Sequence, residues 1–384
     1  AVMSGNFVQR GIPAITDKYK RCRAAVDSGV NLVVELPLFY AVSSAEIFAA
    51  GAVATLNALN ASFISFGCEN ADIQMLKKIA ITLVNEPDEY KKHLKKALTC
   101  GDSFPTARAK ALSEFFKSDD ISRLISSPNN ILAIEYIKEI IKSESAVTPV
   151  ALTRKISGYH DNEIHENIAS ASAIRKILHD SGIHKNNDSR CKNIKELQNV
   201  MPEAMYNILA SESQNNTLIY ADDFSSMLNY KISNIFYIAK YNKNACIETL
   251  CAYHDINKDL ACRIYSSFTG CDSFNGFIEK IKTRGFTYSR LSRCLMHIIL
   301  DIKKENISQY ESLPYIRILG FDKKGREYLS QIKKTCPVPI ITKAADYKNL
   351  LTDDIHAASL YNQIVYTKSG TINKDEFRQP LYIK

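Results

Sequence analysis

The hydrophobic pattern changes period along the chain. In the first half, short apolar runs alternate with longer stretches of helical periodicity. Residues 31–37 (NLVVELP) are brief, apolar and β-rich, as a buried strand is, and 63–67 (FISFG) and 147–153 (VTPVALT) predict two further short strands. Pro149 suits an edge or an early strand position. Residues 44–59 carry Ala, Phe and Leu at helical spacing. Residues 131–141, following Pro128-Asn129-Asn130, and 169–178 also predict helices. Strands alternating with helices predict a parallel sheet joined by crossovers. A long Lys-rich helical insertion fills 72–120.

A polar, turn-prone segment at 184–192 (HKNNDSRCK) marks the expected boundary between two domains, 1–185 and 186–384. Beyond it the pattern is mostly helical, at 201–211, 225–242, 245–253, 260–267 and 288–302. A small α/β piece follows, with strands at 315–320 and 339–342 around a helix at 324–333. Neither an internal repeat nor a low-complexity segment appears.

Composition narrows the class. The chain has 384 residues, 46% hydrophobic and 23% charged, which is ordinary for a globular protein of more than one domain. Its net charge of +8 permits a polyanionic partner without demanding one. The 10 cysteines are scattered, with no CxxC and no zinc-finger spacing, and read as reduced cytosolic thiols. No apolar run approaches the ~20 residues of a membrane span, and no signal-peptide pattern appears. A cytoplasmic location with no membrane partner is expected. No metal-ligand set is visible. Ala1-Val2-Met3 runs straight into a turn, like the last step of a strand whose beginning is missing.

Four segments could carry chemistry. The first is 3–13 (MSGNFVQRGIP), where a strand stops at Ser4-Gly5-Asn6 and exposes backbone N–H groups at a sheet edge. In open α/β folds ligands bind at that edge. Lys18 and Arg21 follow closely and are candidates for neutralising phosphate charge. A plain β–α loop is the bland alternative. The second is 168–175, where small hydroxyl residues open a helix. Ser170 is a good N-cap, and Arg175 adds a cation beside free N–H groups. An ordinary capped helix reads equally well. The third comprises Pro128-Asn129-Asn130 and Leu152-Thr153-Arg154-Lys155, with polar groups suited to a nucleotide. Asn129 and Asn130 also read as a helix cap. Tyr159-His160-Asp161 and His165 read better as loop side chains than as a catalytic base. The fourth is 280–293, where Lys280, Lys282, Arg284, Arg290 and Arg293 interleave with Phe286 and Tyr288 and no acid intervenes. Such a surface suits RNA phosphates and bases, and a solvated helix face fits it as well.

These motifs resemble one family. Residues 3–13, Asp17-Lys18, 29–37 (GVNLVVELP), 40–48 (YAVSSAEIF), 66–70 (FGCEN), 127–132 (SPNNIL) and 169–176 are similar to the bacterial tRNA(Met) cytidine acetate ligase family. Residues 290–299 (RLSRCLMHII), 315–321 (YIRILGF) and 354–362 (DIHAASLYN) follow in order, so the resemblance covers essentially the whole chain. It implies a Rossmann-like, nucleotidyltransferase-type α/β domain followed by a mainly helical tRNA-binding domain. It implies activation of acetate by ATP to acetyl-adenylate, then acetyl transfer to N4 of the wobble cytidine of elongator tRNA(Met). Mg²⁺ would arrive with ATP, held by phosphates and water. The ATP contacts it implies fall on Ser4, Gly5, Asn6, Gly67, Asn129 and either Arg154 or Lys155. Ser170–Arg175 corresponds to the second phosphate signature of the fold class. No residue is singled out for the acetyl-transfer step.

The family opens with a first strand and an HxGH-type loop that this sequence does not contain. The expectation is therefore a fragment lacking about thirty residues, one strand-plus-helix step. Two rival functions remain on sequence grounds: a small-molecule adenylyl- or cytidylyltransferase of the same fold, and a truncated, non-catalytic tRNA-binding homologue.

Overall fold

The computed structural model describes residues 1–154, 169–183, 194–283 and 285–384. These form two compact units. The first joins Ala1–Ser44 to Pro202–Lys384, and the second is Ala45–Met201. The division differs from the single cut expected between 1–185 and 186–384, whose marker segment lies outside the described residues. The physical cause is a strand pairing: hydrogen bonds tie residues 32–35 to residues 317–321.

In chain order the strands are β1 (Val2–Ser4), β2 (Phe7–Val8), β3 (Ile12–Pro13), β4 (Leu32–Leu36), β5 (Phe63–Cys68), β6 (Thr148–Thr153), β7 (Ile316–Phe321), β8 (Ile340–Ile341) and β9 (Tyr382–Ile383). In the first unit β1 and β4 pair in parallel, with Ser4 opposite Leu36. β7 lies antiparallel on β4, setting Glu35 opposite Arg317. β8 and β9 both pair in parallel with β7. The sheet is thus α/β in kind but mixed in direction. β2 and β3 form a small antiparallel hairpin after the end of β1.

The helix Lys18–Asp27 begins where Asp17 accepts from the backbone N–H of Tyr19 and Lys20, both at 2.9 Å. Its apolar positions are few, because Lys18, Lys20, Arg21 and Arg23 crowd it. Cys22 and Val26 nonetheless pack on Val33 and Leu319 of the sheet. The helix Thr352–Ser369 closes another side. Its Tyr361 hydroxyl donates to Ala14 O at 2.9 Å, and its ring meets Phe7 edge-on. The helices expected in the second half appear at Glu203–Gln214, Ser225–Ile238, Lys243–Cys251, Lys258–Ser267 and Tyr288–Ile299, joined by Phe274–Ile281. Tyr288–Ile299 lies on the hairpin: Ser292 Oγ donates to Gly11 O at 2.9 Å. Gly11 has φ +70°, and a Cβ there would collide with the Arg293 backbone nitrogen.

In the second unit β5 and β6 pair in parallel, from Phe63 opposite Thr148 to Cys68 opposite Thr153. The Lys-rich insertion resolves into Ile73–Asn85, Asp88–Thr99, Phe104–Phe116 and Asp119–Ser126, ahead of Pro128–Lys142. Their inward faces share one core, which includes Leu76, Ile79, Tyr90, Leu112, Ile121, Ile134 and Ile137. Among the described residues no helix is long and apolar enough to cross a membrane.

Candidate active site

In the first unit β1 ends at Ser4, and the chain turns through Gly5 and Asn6. This loop is held from below. Arg21, one turn into its helix, donates from Nη1 to Ser4 O at 3.0 Å, from Nη2 to Gly5 O, and from Nε to Thr16 O at 3.1 Å. Burial lowers its pKa from the ordinary value. Asn6 is buried; its Oδ1 accepts from Lys18 N at 2.9 Å, and its carbonyl accepts from Ala14 N at 2.8 Å. A loop whose carbonyls face inward to a guanidinium is fixed in shape before any ligand arrives.

Beneath the loop lies a buried ionic cluster. Lys18 Nζ meets Glu35 Oε1 at 2.8 Å and Glu376 Oε2 at 3.0 Å. Arg317 Nε lies 3.4 Å from Glu35 Oε2, and its Nη2 pairs with Glu376. Tyr19 OH donates to Glu376 Oε2 at 2.9 Å. Two cations and two carboxylates balance here, as burial requires. Burial opposes ionisation of Glu376, but Lys18 and Arg317 outweigh it and hold its pKa below the usual carboxylate value. Burial likewise opposes the charge of Arg317, and Glu35 and Glu376 reverse that effect and raise its pKa.

Asp354 is a further buried carboxyl beside this cluster. Its Oδ1 accepts from Leu38 N at 3.2 Å and its Oδ2 from the Tyr315 hydroxyl. Burial, reinforced by the negative charge of Glu35, pushes its pKa up to about 7. Gly5, Asn6, Lys18, Glu35, Leu38 and Asp354 line a small cleft with Ala357 and Ala358.

In the second unit the end of β5 is clamped to a helix N-terminus. Glu69 Oε2 accepts from Asn130 N at 3.1 Å, and its Oε1 accepts from Asn129 Nδ2 at 2.6 Å. Reciprocally, Asn130 Oδ1 accepts from Glu69 N at 3.0 Å and Asn70 N at 3.1 Å. A carboxylate at a helix start satisfies free N–H groups and favours the dipole. Gly67 is exposed on β5, and a Cβ there would come 3.3 Å from Arg154 Cγ. Arg154 N donates to Cys68 O at 2.9 Å and continues the parallel ladder. The structure therefore brings Gly67 and Arg154 together, and sets Asn129 on the Glu69 clamp. Ser170 Oγ accepts from Ala173 N at 3.0 Å and caps Ala171–Ile183, with Arg175 half-buried in that helix. Lys155 lies outside the described residues, as do His160, Asp161 and His165.

The basic segment divides. Lys280 is exposed, with Nζ 3.1 Å from Thr269 Oγ1, and Lys282 is exposed 3.6 Å from Glu279. Arg290 is half-buried, stacks on Phe286 and meets Asp255 at 3.3 Å. Arg293 is buried, with its guanidinium 3.6 Å from Asp255, so it is not presented to solvent. Arg284 lies outside the described residues.

Sequence reasoning passes over Glu35, Arg317, Glu376 and Asp354, and reads Asn130 only as part of the Pro128-Asn129-Asn130 segment. One signal exists for the first: a lone carboxylate inside the apolar run NLVVELP demands a buried partner. One partner, Lys18, is near in sequence, and the other, Arg317, lies far along the chain. Among the described residues no three His, Cys, Asp or Glu side chains converge as metal ligands.

Comparison with known proteins follows the same lines. Residues 1–376 match the model of the family described as HIGH Nucleotidyl Transferase. The chain is 38% identical over 388 residues to the tRNA(Met) cytidine acetate ligase of Clostridium novyi (strain NT), covering 100% of this chain and 91% of that protein. It is 37% identical over 389 residues to the protein of that name from Thermoanaerobacter sp. (strain X514), covering 99% and 91%. Among solved structures, Thermotoga maritima TmcAL bound with alpha-thio ATP is similar with a TM-score of 0.84 at 28% identity, covering 100% of this chain and 91% of that one. Its apo form gives a TM-score of 0.86 at 29% identity, covering 100% and 92%.

Proposed function

We propose, from the premise that this chain belongs to the tRNA(Met) cytidine acetate ligase family of HIGH nucleotidyl transferases, that it activates acetate with ATP and acetylates N4 of the wobble cytidine of elongator tRNA(Met). The chain is an ATP-dependent ligase. In the first step an acetate oxygen attacks the α-phosphorus, the α–β phosphoanhydride bond breaks, and pyrophosphate leaves. In the second, the cytidine N4 amine attacks the acetyl carbonyl carbon, AMP leaves, and the amine loses a proton.

Such chemistry asks for positioning and charge neutralisation more than for a protein nucleophile. In this reading the backbone at Ser4, Gly5 and Asn6 meets the nucleotide. Lys18 and Arg21 support that loop from behind, since their cationic groups already hold Glu35 and backbone carbonyls. Gly67, Asn129 and Arg154, with Ser170 and Arg175, are the ATP contacts proposed within the second unit. Lys280, Lys282 and Arg290 are the proposed contacts to tRNA phosphates. Mg²⁺ would screen the triphosphate, held by phosphate oxygens and water.

The observation that carries the reading is similarity over the whole of this chain and 91% of a protein of that name, combined with a loop at a strand end that Arg21 holds in place. The test is N4-acetylcytidine in tRNA(Met), read by mass spectrometry. The nucleoside is expected to form from acetate, ATP and tRNA with purified enzyme and to vanish from a deletion strain. Its persistence in the deletion strain sinks the proposal.

A further inference from the structure

The helix Ser225–Ile238 buries one face and leaves an aromatic row on the other. Leu228, Ile232 and Ile235 are buried, and Phe236 packs against Tyr265 and Phe268 with ring centroids at 5.2 and 5.6 Å. On the opposite side Tyr230 and Tyr237 are 67% and 70% exposed, and Tyr241, just past the helix end, is 67% exposed. Ser226 and Ser233, also exposed, fall on the same stripe. Tyr230 and Tyr237 are two turns apart, about 10 Å of rise, so each ring can stack independently.

Large exposed aromatic rings in a row need a partner to explain them. The charge pattern selects it. From Ser225 to Ile247 the sequence contains no Asp or Glu, and it carries Lys231, Lys240 and Lys243. Lys231 is taken by Asp301, whereas Lys240 and Lys243 are exposed beside Tyr241. Lys240 and Tyr241 both adopt left-handed backbone, with φ 51° and 55°. Left-handed residues commonly close a helix C-terminus, and these two do so here. They follow the last helical turn, where Tyr241 N donates to Phe236 O at 2.8 Å. Aromatic faces flanked by exposed cations, on a segment that itself carries no acid, suit unpaired nucleic-acid bases on an anionic backbone. A symmetric contact with a second copy would instead bring the lysines of this patch toward each other.

We propose that Tyr230, Tyr237 and Tyr241, with Lys240 and Lys243, form a stacking surface for unpaired bases of the tRNA substrate. The inference rests on the tRNA reading above and deepens it. The test uses the full chain with Tyr230→Ala, Tyr237→Ala and Tyr241→Ala, each beside its Phe counterpart. Binding to a tRNA(Met) transcript is measured across salt concentrations, together with acetate-dependent pyrophosphate exchange in the absence of tRNA. Each Ala variant is expected to bind about 5- to 100-fold more weakly, with unchanged salt slope. The Phe variants are expected to stay within about twofold, since the ring face is kept. Lys240→Ala is expected to reduce the salt slope by about one, and tRNA-free exchange to hold throughout. Unchanged tRNA affinity in all three Ala variants overturns the surface. Loss of self-association with tRNA affinity retained also overturns it and assigns the face to a second copy. If the unmodified chain binds tRNA(Met) but shows no acetate-dependent exchange, the acetate-ligase reading fails, and the binding series still decides this surface.

Discussion

Gly5 lies so close to Glu35 that a Cβ on the glycine would overlap Glu35 Oε1. The carboxylate has nowhere to retreat, because Lys18 holds it at 2.8 Å on one oxygen and Arg317 at 3.4 Å on the other. The loop that ends β1 is therefore seated directly on a buried salt bridge, and its shape depends on that cluster's remaining intact.

Gly5→Ala follows as the first prediction. Overpacking of this kind costs about 1–3 kcal/mol, and here relief comes only by lifting the loop or breaking the Lys18–Glu35 pair. Acetate-dependent pyrophosphate exchange is expected to fall at least about tenfold, the effect of roughly 1.4 kcal/mol at the transition state, with tRNA affinity nearly kept. An alanine variant exchanging at the unmodified rate would show that the loop is not held as described.

A second prediction concerns pH. Asp354 has a folded-state pKa pushed up to about 7 by burial and Glu35, against an ordinary 3.8. Between those values the folded chain keeps a proton that the unfolded chain has released. Stability from this group is therefore greatest below about pH 4, declines as pH rises toward 7, and levels off above. The neighbours that set the balance are Glu35, Lys18, Arg317 and Tyr315. Asp354→Asn keeps an acceptor oxygen and cannot ionise. Denaturation of both proteins at pH 5 and pH 8 should show the variant gaining relative stability at the higher pH. Parallel pH profiles for the two proteins would contradict this.

The third prediction tests the second unit. Asn130 is 1% exposed, accepts from Glu69 N and Asn70 N, and donates from Nδ2 to Leu124 O at 3.0 Å. Asn130→Ala strands these groups in the interior, at an expected cost of about 2–4 kcal/mol. Asn130→Asp retains both acceptor roles, loses only the donor, and introduces a buried charge. Urea titrations should place the Ala midpoint well below that of the native chain with little change in slope. A loss under about 0.5 kcal/mol, the ordinary range for a surface substitution, would mean that the clamp contributes nothing.

Much of the local architecture is legible in the sequence. Runs such as NLVVELP and FISFG become β4 and β5, and the Lys-rich stretch becomes a series of helices on one core. Ser170 caps its helix as its residue type suggests. Among the elements that escape the periodic reading are Lys18–Asp27, whose apolar face is only a few residues wide, and Thr352–Ser369, buried at Ala357, Ala358 and Tyr361 but mixed in polarity throughout.

Alternation of residue types by itself determined most of the strands and helices in the α/β segments and where Ser170 caps its helix, because period and cap chemistry are written in neighbouring residues. Only the tertiary structure decided that β7 returns antiparallel onto β4 and places Arg317 opposite Glu35, with Glu376 and Asp354 closing the cluster. It also decided that Arg293, one of several cations in a basic run, turns inward to Asp255. Charge is a property of a residue, but its burial and partner depend on where distant parts of the chain come to rest, and no local pattern carries that information.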